Sequence, residues 1–429
     1  MFNRRLFIKK TALGIMGAGI GRNEHIPLPQ RTSSKGMAYR RFGRTGFLVS
    51  DIGTGDPYSD AVLKATLNAG INFIETSEGY GNGRSEERIG RVIKNFNREK
   101  IFIATKASPN YKLFKSAQDV IERANASLNR LQTDYIDLYM IHQAQNIFRV
   151  KDDFFHRACD QLKREGKIRF VGLSCHGQPY WQDPRESLEH IMMEAIQDGR
   201  FDGLFFPYNF MEPDMGNRII NACKEKDIGT MIMKSNPVLM YEDYLEMLGN
   251  GQELSRTEER EYEKLQLKFD VFFNKYRMNG IEEMKDGAIQ FILTNPDAHT
   301  ICCRFENFSD VEKYARLSGT ILSDRLSGML KEFKNDLGFM NCRIGCHQCE
   351  GACPHHLPVG TIWRYLYYFK SKKREKYAMQ EYHKIPGRKA GTCVDCPGFC
   401  VEACPHGVAV QSLMRAAHQT LTPDGTHFA

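Results

Sequence analysis

The chain has 429 residues, enough for one large domain with appendages, and its 41% hydrophobic and 26% charged content is that of a globular protein rather than a disordered or fibrous one. The formal net charge of +7 suggests a nucleic-acid binder only until it is located: residues 1–36 hold seven Lys/Arg against one Glu, which leaves about +1 for the rest and no phosphate-binding footprint. No run is apolar for the roughly 20 residues a membrane-spanning helix needs.

The first element is a leader, residues 1–36. Arg4-Arg5, Phe7 and Lys9 precede a short glycine-rich apolar run, Thr11–Ile20, in the order of a twin-arginine export signal. That order predicts an exported, periplasmic protein; a retained leader gives the cytoplasmic alternative.

Residues 37–336 alternate short apolar runs with amphipathic ones. The predicted strands are Val49–Gly53, Asn72–Glu75, Ile101–Lys106, Tyr135–Ile141, Arg169–Ser174, Gly203–Pro207, Gly229–Lys234 and Thr300–Cys303. Between them the 3.6-residue period predicts helices over Asp60–Ala69, Ser85–Lys94, Ala117–Leu131, Asp153–Glu165, Arg185–Asp198, Asp214–Lys226 and Ile281–Leu293, with Ser85 capping the second. Eight such repeats predict an α/β (β/α)8 TIM barrel. Asn236–Gly280 interrupts the seventh repeat as a charged insertion on the active face, a lid or a docking surface for the C-terminal tail.

Residues 337–429 form a third segment, predicted to be a mainly α-helical, ferredoxin-like iron–sulfur domain. Eight of the thirteen cysteines lie here, in two runs: Cys342, Cys346, Cys349 and Cys353, then Cys393, Cys396, Cys400 and Cys404, each ending in Cys-Pro. Four cysteines at three- or four-residue steps suit a 4Fe–4S cluster, where three ligands come from one run and the last from the other. Two four-cysteine zinc sites are the alternative, but zinc sites favour well-separated pairs. The spacing predicts two 4Fe–4S clusters and an electron-transfer partner protein. His347, His355, His356 and His406 read as polar neighbours of the sulfurs, and Cys159, Cys175, Cys223, Cys302 and Cys303 as buried small hydrophobes.

Three predicted strands end in Glu75, Lys106 and His142, with Tyr80 in the loop after the first. In a barrel these converge on the catalytic rim. Together they make a proton-transfer unit for a small-molecule carbonyl or alcohol substrate: Tyr80 as general acid or base, Lys106 as the cation that eases its ionisation, Glu75 holding Lys106, and His142 polarising the carbonyl.

The segments Met37–Ser50, Gly70–Gly81, Ala104–Lys106, Asp137–His142, Glu165–Ser174 and Tyr208–Asn209 resemble those of the aldo-keto reductase family, and the tail resembles that of its ferredoxin-bearing members. The resemblance implies a catalytic set of Tyr80, Lys106, His142 and Glu75, with NADP or NAD held by Ser174, Tyr208, Arg304 and Asn307. Two departures stand out. The family has aspartate where this chain has Glu75, and Cys175 and Phe205 replace two carboxamide-binding side chains. The expectation is an iron–sulfur oxidoreductase interconverting a carbonyl and an alcohol. The alternative is a non-catalytic electron-transfer or redox-sensing protein whose barrel binds a ligand or partner without nicotinamide turnover.

Overall fold

The computed structural model describes residues 36–108, 113–177, 186–236, 256–370 and 374–422, with 245, 248, 249, 251 and 253 between. The leader therefore lies, but for its last residue, outside the described residues.

Two antiparallel strands, β1 (Tyr39–Arg41) and β2 (Leu48–Ser50), form an opening hairpin. Its turn carries the fully buried Phe42, whose ring occupies the room left by Gly203 and Gly229; a Cβ at these positions would stand 3.1 and 2.5 Å from it. Those glycines begin two barrel strands, so the hairpin plugs the N-terminal mouth.

The barrel itself is closed and parallel. Its strands are β3 (Ile52–Gly55), β4 (Phe73–Glu75), β5 (Phe102–Ala107), β6 (Ile136–Ile141), β7 (Ile168–Ser174), β8 (Gly203–Pro207), β9 (Gly229–Met233) and β10 (Thr300–Cys303). They pair in the ring order β10-β3-β4-β5-β6-β7-β8-β9. Side chains alternate across each strand. Phe73, Phe102, Ala104, Leu138 and Met140 point into the barrel core, while Ile74, Ile103, Tyr139 and Ile141 meet the helices outside. The same alternation carries the inner face two residues further, to Glu75, Lys106 and His142.

The sequence-predicted strands and helices are present, with two local corrections. Val49–Gly53 is not one strand: the chain breaks at Asp51, whose buried carboxylate accepts hydrogen bonds from Ser318 Oγ (2.6 Å) and the Gly319 amide (2.8 Å). The second helix runs Arg84–Ile93 from Gly83, which takes a left-handed φ of 89°, and has no side-chain cap. Ser85 instead hydrogen-bonds Thr76 Oγ1 at 2.8 Å, because its side chain is buried behind β4. Caps do occur where the helices begin at Asp60, Ala117, Asp153 and Leu188, from Ser59, Ser116, Asp152 and Ser187.

The insertion after β9 contributes the helix Arg256–Tyr276. Phe269 and Phe272 on it pack with Phe210 and Met211 of the β8 loop and with Phe333 on the helix Asp324–Asp336. That second helix leads into the tail, where Lys268 of the insertion also lies 4.7 Å over the Phe339 ring.

The tail has a core of its own, built by the helices Val359–Lys370, Glu375–Lys384 and Val410–Leu421 around Ile362, Leu366, Tyr382 and Met414. Among the described residues no helix is long and apolar enough to cross a membrane.

Phe42 is a central side chain in the cluster that fills the lower mouth. Replacing it with alanine should lower unfolding free energy by about 3–5 kcal/mol, measured by denaturant melts of the whole protein.

Candidate active site

The C-terminal ends of β4, β5 and β6 bring the four predicted groups together. Lys106 is fully buried and forms an ion pair with Glu75 Oε1, itself buried. The ammonium also donates to the Thr76 carbonyl at 2.7 Å and to the Tyr80 hydroxyl at 3.3 Å. Tyr80 in turn donates to Glu75 Oε1 at 3.2 Å. The longer side chain of Glu75 is accommodated by Gly55 on the neighbouring strand: a Cβ there would stand 2.8 Å from Glu75 Oε2.

His142 sits beside this group, its ring 5.8 Å from that of Tyr80. Its Nδ1 is held by Ser108 Oγ at 2.5 Å and Ser77 Oγ at 3.3 Å, while its buried Nε2 has no partner among the described residues. In the tautomer in which a serine hydroxyl donates to Nδ1, the ring proton is on Nε2 and free to meet a ligand oxygen. His176, after β7, lies 6.1 Å from His142 ring to ring, and both of its nitrogens are buried without a described partner.

Burial governs the charges here. It pulls the Lys106 ammonium down to about 7 and pushes the Tyr80 hydroxyl above its ordinary value. His142 is held well below the usual imidazole range, by burial first and then by the charges of Lys106 and Arg149. The imidazole is thus a neutral hydrogen-bond donor, and the lysine titrates near neutrality.

The residues expected to hold a nicotinamide nucleotide are not gathered in the same way. Ser174 accepts from the Gln143 amide at 2.9 Å and donates to the Ile141 carbonyl at 3.3 Å. Tyr208 turns into the helix layer, donating to Asn217 Oδ1 at 2.6 Å with its ring 5.4 Å from that of Phe291. Arg304 is exposed and paired with Glu306 at 3.0 Å. Asn307 caps the helix Phe308–Leu317 by accepting from the Asp310 amide. The inner wall at Phe205 offers a ring, 5.6 Å from Lys106 Nζ, in place of an amide.

A model of the aldo/keto reductase family matches residues 50–327. The chain belongs to the aldo/keto reductase family. Aldo-keto reductase YhdN of Bacillus subtilis (strain 168) is 31% identical over 190 residues, covering 43% of this chain and 53% of that one. NADH-specific methylglyoxal reductase of Escherichia coli (strain K12) is 30% identical over 185 residues, 39% of this chain and 53% of that one. The chain spans about half the length of the curated relatives it matches. The solved aldo-keto reductase AKR11C1 from Bacillus halodurans (holo form) covers 69% of this chain and 96% of its own at 19% identity and a TM-score of 0.50, a likeness of fold.

Beyond the family match the tail folds back onto the barrel rim. Gly177, after β7, comes so close to Gly345 that a Cβ on it would lie 3.1 Å from the Gly345 Cα. Ile344 and Trp363 line a hollow with Pro207, Tyr208 and Asn209 at the end of β8, and His406 approaches Glu212 at 3.8 Å. Of the tail's cations, Arg374 acts on the Tyr80 hydroxyl, lowering it slightly against the larger effect of burial.

The eight tail cysteines are free thiols in two interleaved sets. Cys342, Cys346, Cys349 and Cys404 line one hollow with Arg343 and His406. Cys353 joins the second run instead: its thiol, with Cys396, is among those acting on Cys393 and Cys400. Burial raises Cys349 and Cys393 to about 12, and the neighbouring thiols add to it. Cys159, Cys175, Cys223, Cys302 and Cys303 are thiols held protonated by burial.

Sequence reading passes over Gly55, Ser77 and Ser108. Ser108 was within reach of it, two residues beyond Lys106 and so on the same face at the strand end.

For any reaction in which Tyr80 releases its proton, the charged Lys106 eases the release. The rate should therefore fall as pH rises through about 7. Glu75→Gln removes the neighbouring anion and should move that midpoint to lower pH. The pH profile of kcat/KM for both proteins checks the sign.

Proposed function

We propose that this protein interconverts a carbonyl and an alcohol on a small molecule, with Tyr80 as general acid or base, and that its eight tail cysteines hold two 4Fe–4S clusters that exchange electrons with a partner protein. The observation that carries the first part is the Tyr80 hydroxyl, held between Lys106 Nζ and Glu75 Oε1 beside the unpartnered Nε2 of His142. Reduction needs a two-electron donor of the hydride-transferring class to deliver hydrogen and its electron pair to the carbonyl carbon. As that happens, a carbonyl oxygen placed there takes a hydrogen bond from His142 Nε2 and a proton from Tyr80. Lys106 stabilises the phenolate left behind, and Glu75 keeps Lys106 in place. In the oxidation direction the same groups run in reverse.

The cluster part rests on the two thiol sets. Each contains three cysteines of one run and the last of the other, which is how paired 4Fe–4S clusters are ligated. Among the described residues no three such side chains converge tightly enough for a single ion. In a cubane each iron takes a different cysteine, so the ligands stand apart by the width of the cluster. When bound, such clusters supply one-electron transfer. Val394, Phe399 and Val401, flanking the second set, are exposed apolar residues suited to a partner's approach.

The side chains expected to hold the nicotinamide nucleotide of the family are bonded here to the protein's own groups. That engagement also favours a second reading, an electron-transfer or redox-sensing protein whose barrel binds a ligand without turnover.

Tyr80→Phe decides between the two. Carbonyl–alcohol turnover, driven by chemically reduced protein or by NADPH, should drop at least about 100-fold with iron content and melting temperature unchanged; turnover near the unaltered level would sink the catalytic reading. The intact protein should carry about eight irons. Cys346→Ser and Cys404→Ser should erase one spin-resonance signal of the reduced protein, and Cys353→Ser and Cys400→Ser the other. Grouping of the signals by run instead would overturn the interleaved assignment.

A further inference from the structure

The two serines behind His142 form a chain in which every hydrogen can be traced. Ser77 Oγ accepts from the Gly79 amide at 3.2 Å and lies 2.9 Å from Ser108 Oγ. Ser108 Oγ lies 2.5 Å from His142 Nδ1, and Ser77 Oγ is 3.3 Å from the same nitrogen. Among the described residues these are all the partners the two hydroxyls have. Ser77 is fully buried, so its hydroxyl cannot turn to water instead. Ser108 is held by its own backbone: its amide donates to Glu78 Oε1 at 2.6 Å, and Arg123 Nη1 holds the same oxygen at 2.9 Å. Gly79 closes the other side, where a Cβ would lie 3.4 Å from Ser108 Oγ and 3.7 Å from Ser77 Oγ.

Burial keeps the His142 ring neutral, with one N–H and one acceptor nitrogen, and each serine hydroxyl has a single hydrogen to give. With the ring hydrogen on Nε2, the chain runs in one direction. The Gly79 amide donates to Ser77, the Ser77 hydroxyl to Ser108, and the Ser108 hydroxyl to Nδ1. Every hydrogen then has an acceptor. With the ring hydrogen on Nδ1, three hydrogens face two oxygens that cannot donate to each other at once, and one hydrogen is stranded. A buried donor left unmade is the costly case, so the network itself selects the tautomer. Nε2, buried and without a described partner, is then the donor of the ring.

We propose that Ser77 and Ser108 are positioning residues that hold His142 as its Nε2–H tautomer, so that the ring gives a hydrogen bond to the reacting oxygen and cannot accept one. The site thereby selects for a hydrogen-bond acceptor at that point, as a carbonyl oxygen is. A ligand N–H there finds no acceptor on the ring. Proton transfer is left to Tyr80 alone, because a locked imidazole has no hydrogen to exchange with the serines without breaking the chain. This rests on the reading of Tyr80 and His142 as the groups that meet the reacting oxygen.

Nitrogen-15 magnetic resonance of the full protein as purified, labelled in its histidine rings, reads the tautomer without needing turnover. The resonances that His142→Asn removes are the ones to follow. The unaltered protein should show His142 as one neutral species with its hydrogen on Nε2. The double variant Ser77→Ala, Ser108→Ala should shift both ring nitrogens toward the averaged values of an exchanging mixture. Its kcat should fall about 10-fold or more, the consequence of a ring no longer held in one tautomer. Ser108→Thr, which keeps the hydroxyl, should retain the single tautomer and the turnover. Ser108→Ala alone carries the test should the double variant not fold. Hydrogen on Nδ1 in the unaltered protein would overturn the proposal, as would an unchanged His142 spectrum in the folded double variant. Failure of the Tyr80 reading would show differently, as a single Nε2–H tautomer with no carbonyl–alcohol turnover.

Discussion

The buried contact between Lys106 and Glu75 is the constraint around which the site is built. Two charges inside a barrel core cost several kcal/mol each to desolvate, and only good geometry with further hydrogen bonds offsets that cost. The Thr76 carbonyl and the Tyr80 hydroxyl supply those bonds to the ammonium. The backbone makes the geometry attainable. Glu75 and Lys106 follow Phe73 and Ala104 on the inner face, and Gly55 leaves space for a carboxylate one methylene longer than the family's aspartate. The extra length that threatens to misplace the carboxylate lets one oxygen reach both Lys106 and Tyr80.

Burial, and after it the charge of Lys106, keeps the neighbouring His142 neutral, so the site sets a proton on Tyr80 beside an uncharged imidazole. Ser77 and Ser108 fix the imidazole's orientation from the far side. None of this requires the tail, yet the tail meets the barrel beside it, where Gly345 packs against Gly177 after β7.

The barrel was legible in the sequence because its signals are local and repeated. Each strand is a short apolar run, each helix has a 3.6-residue period, and the inner-face rule comes from counting by two. Asp51 broke a predicted strand because its partners, Ser318 and Gly319, are more than 260 positions away. Ser85 looked like a cap because Ser before Glu-Glu is a capping pattern, but Gly83 already starts the helix and Thr76 claims the hydroxyl. Tyr208, Arg304 and Asn307 come chiefly from the resemblance, and their contacts with Asn217, Glu306 and the Asp310 amide are ones no sequence pattern announces.

The joint between barrel and tail is tight enough to have consequences of its own. Gly177, at a φ of 68°, and Gly345, at 79°, meet where neither has room for a side chain, and Gly345 also abuts Leu188 and Met215 of the barrel's helices. Three residues before and one after Gly345 come Cys342 and Cys346, so the first cysteine set is anchored on the segment that touches the rim. The same set reaches the barrel through His406, which faces Glu212. Whatever orders those four thiols therefore also positions the segment that runs on to Trp363, beside Pro207, Tyr208 and Asn209. Cys349, Cys353, Cys393 and Cys400 are themselves part of the tail's core, so the packing of the thiols and the seating of the tail on the barrel are one problem rather than two.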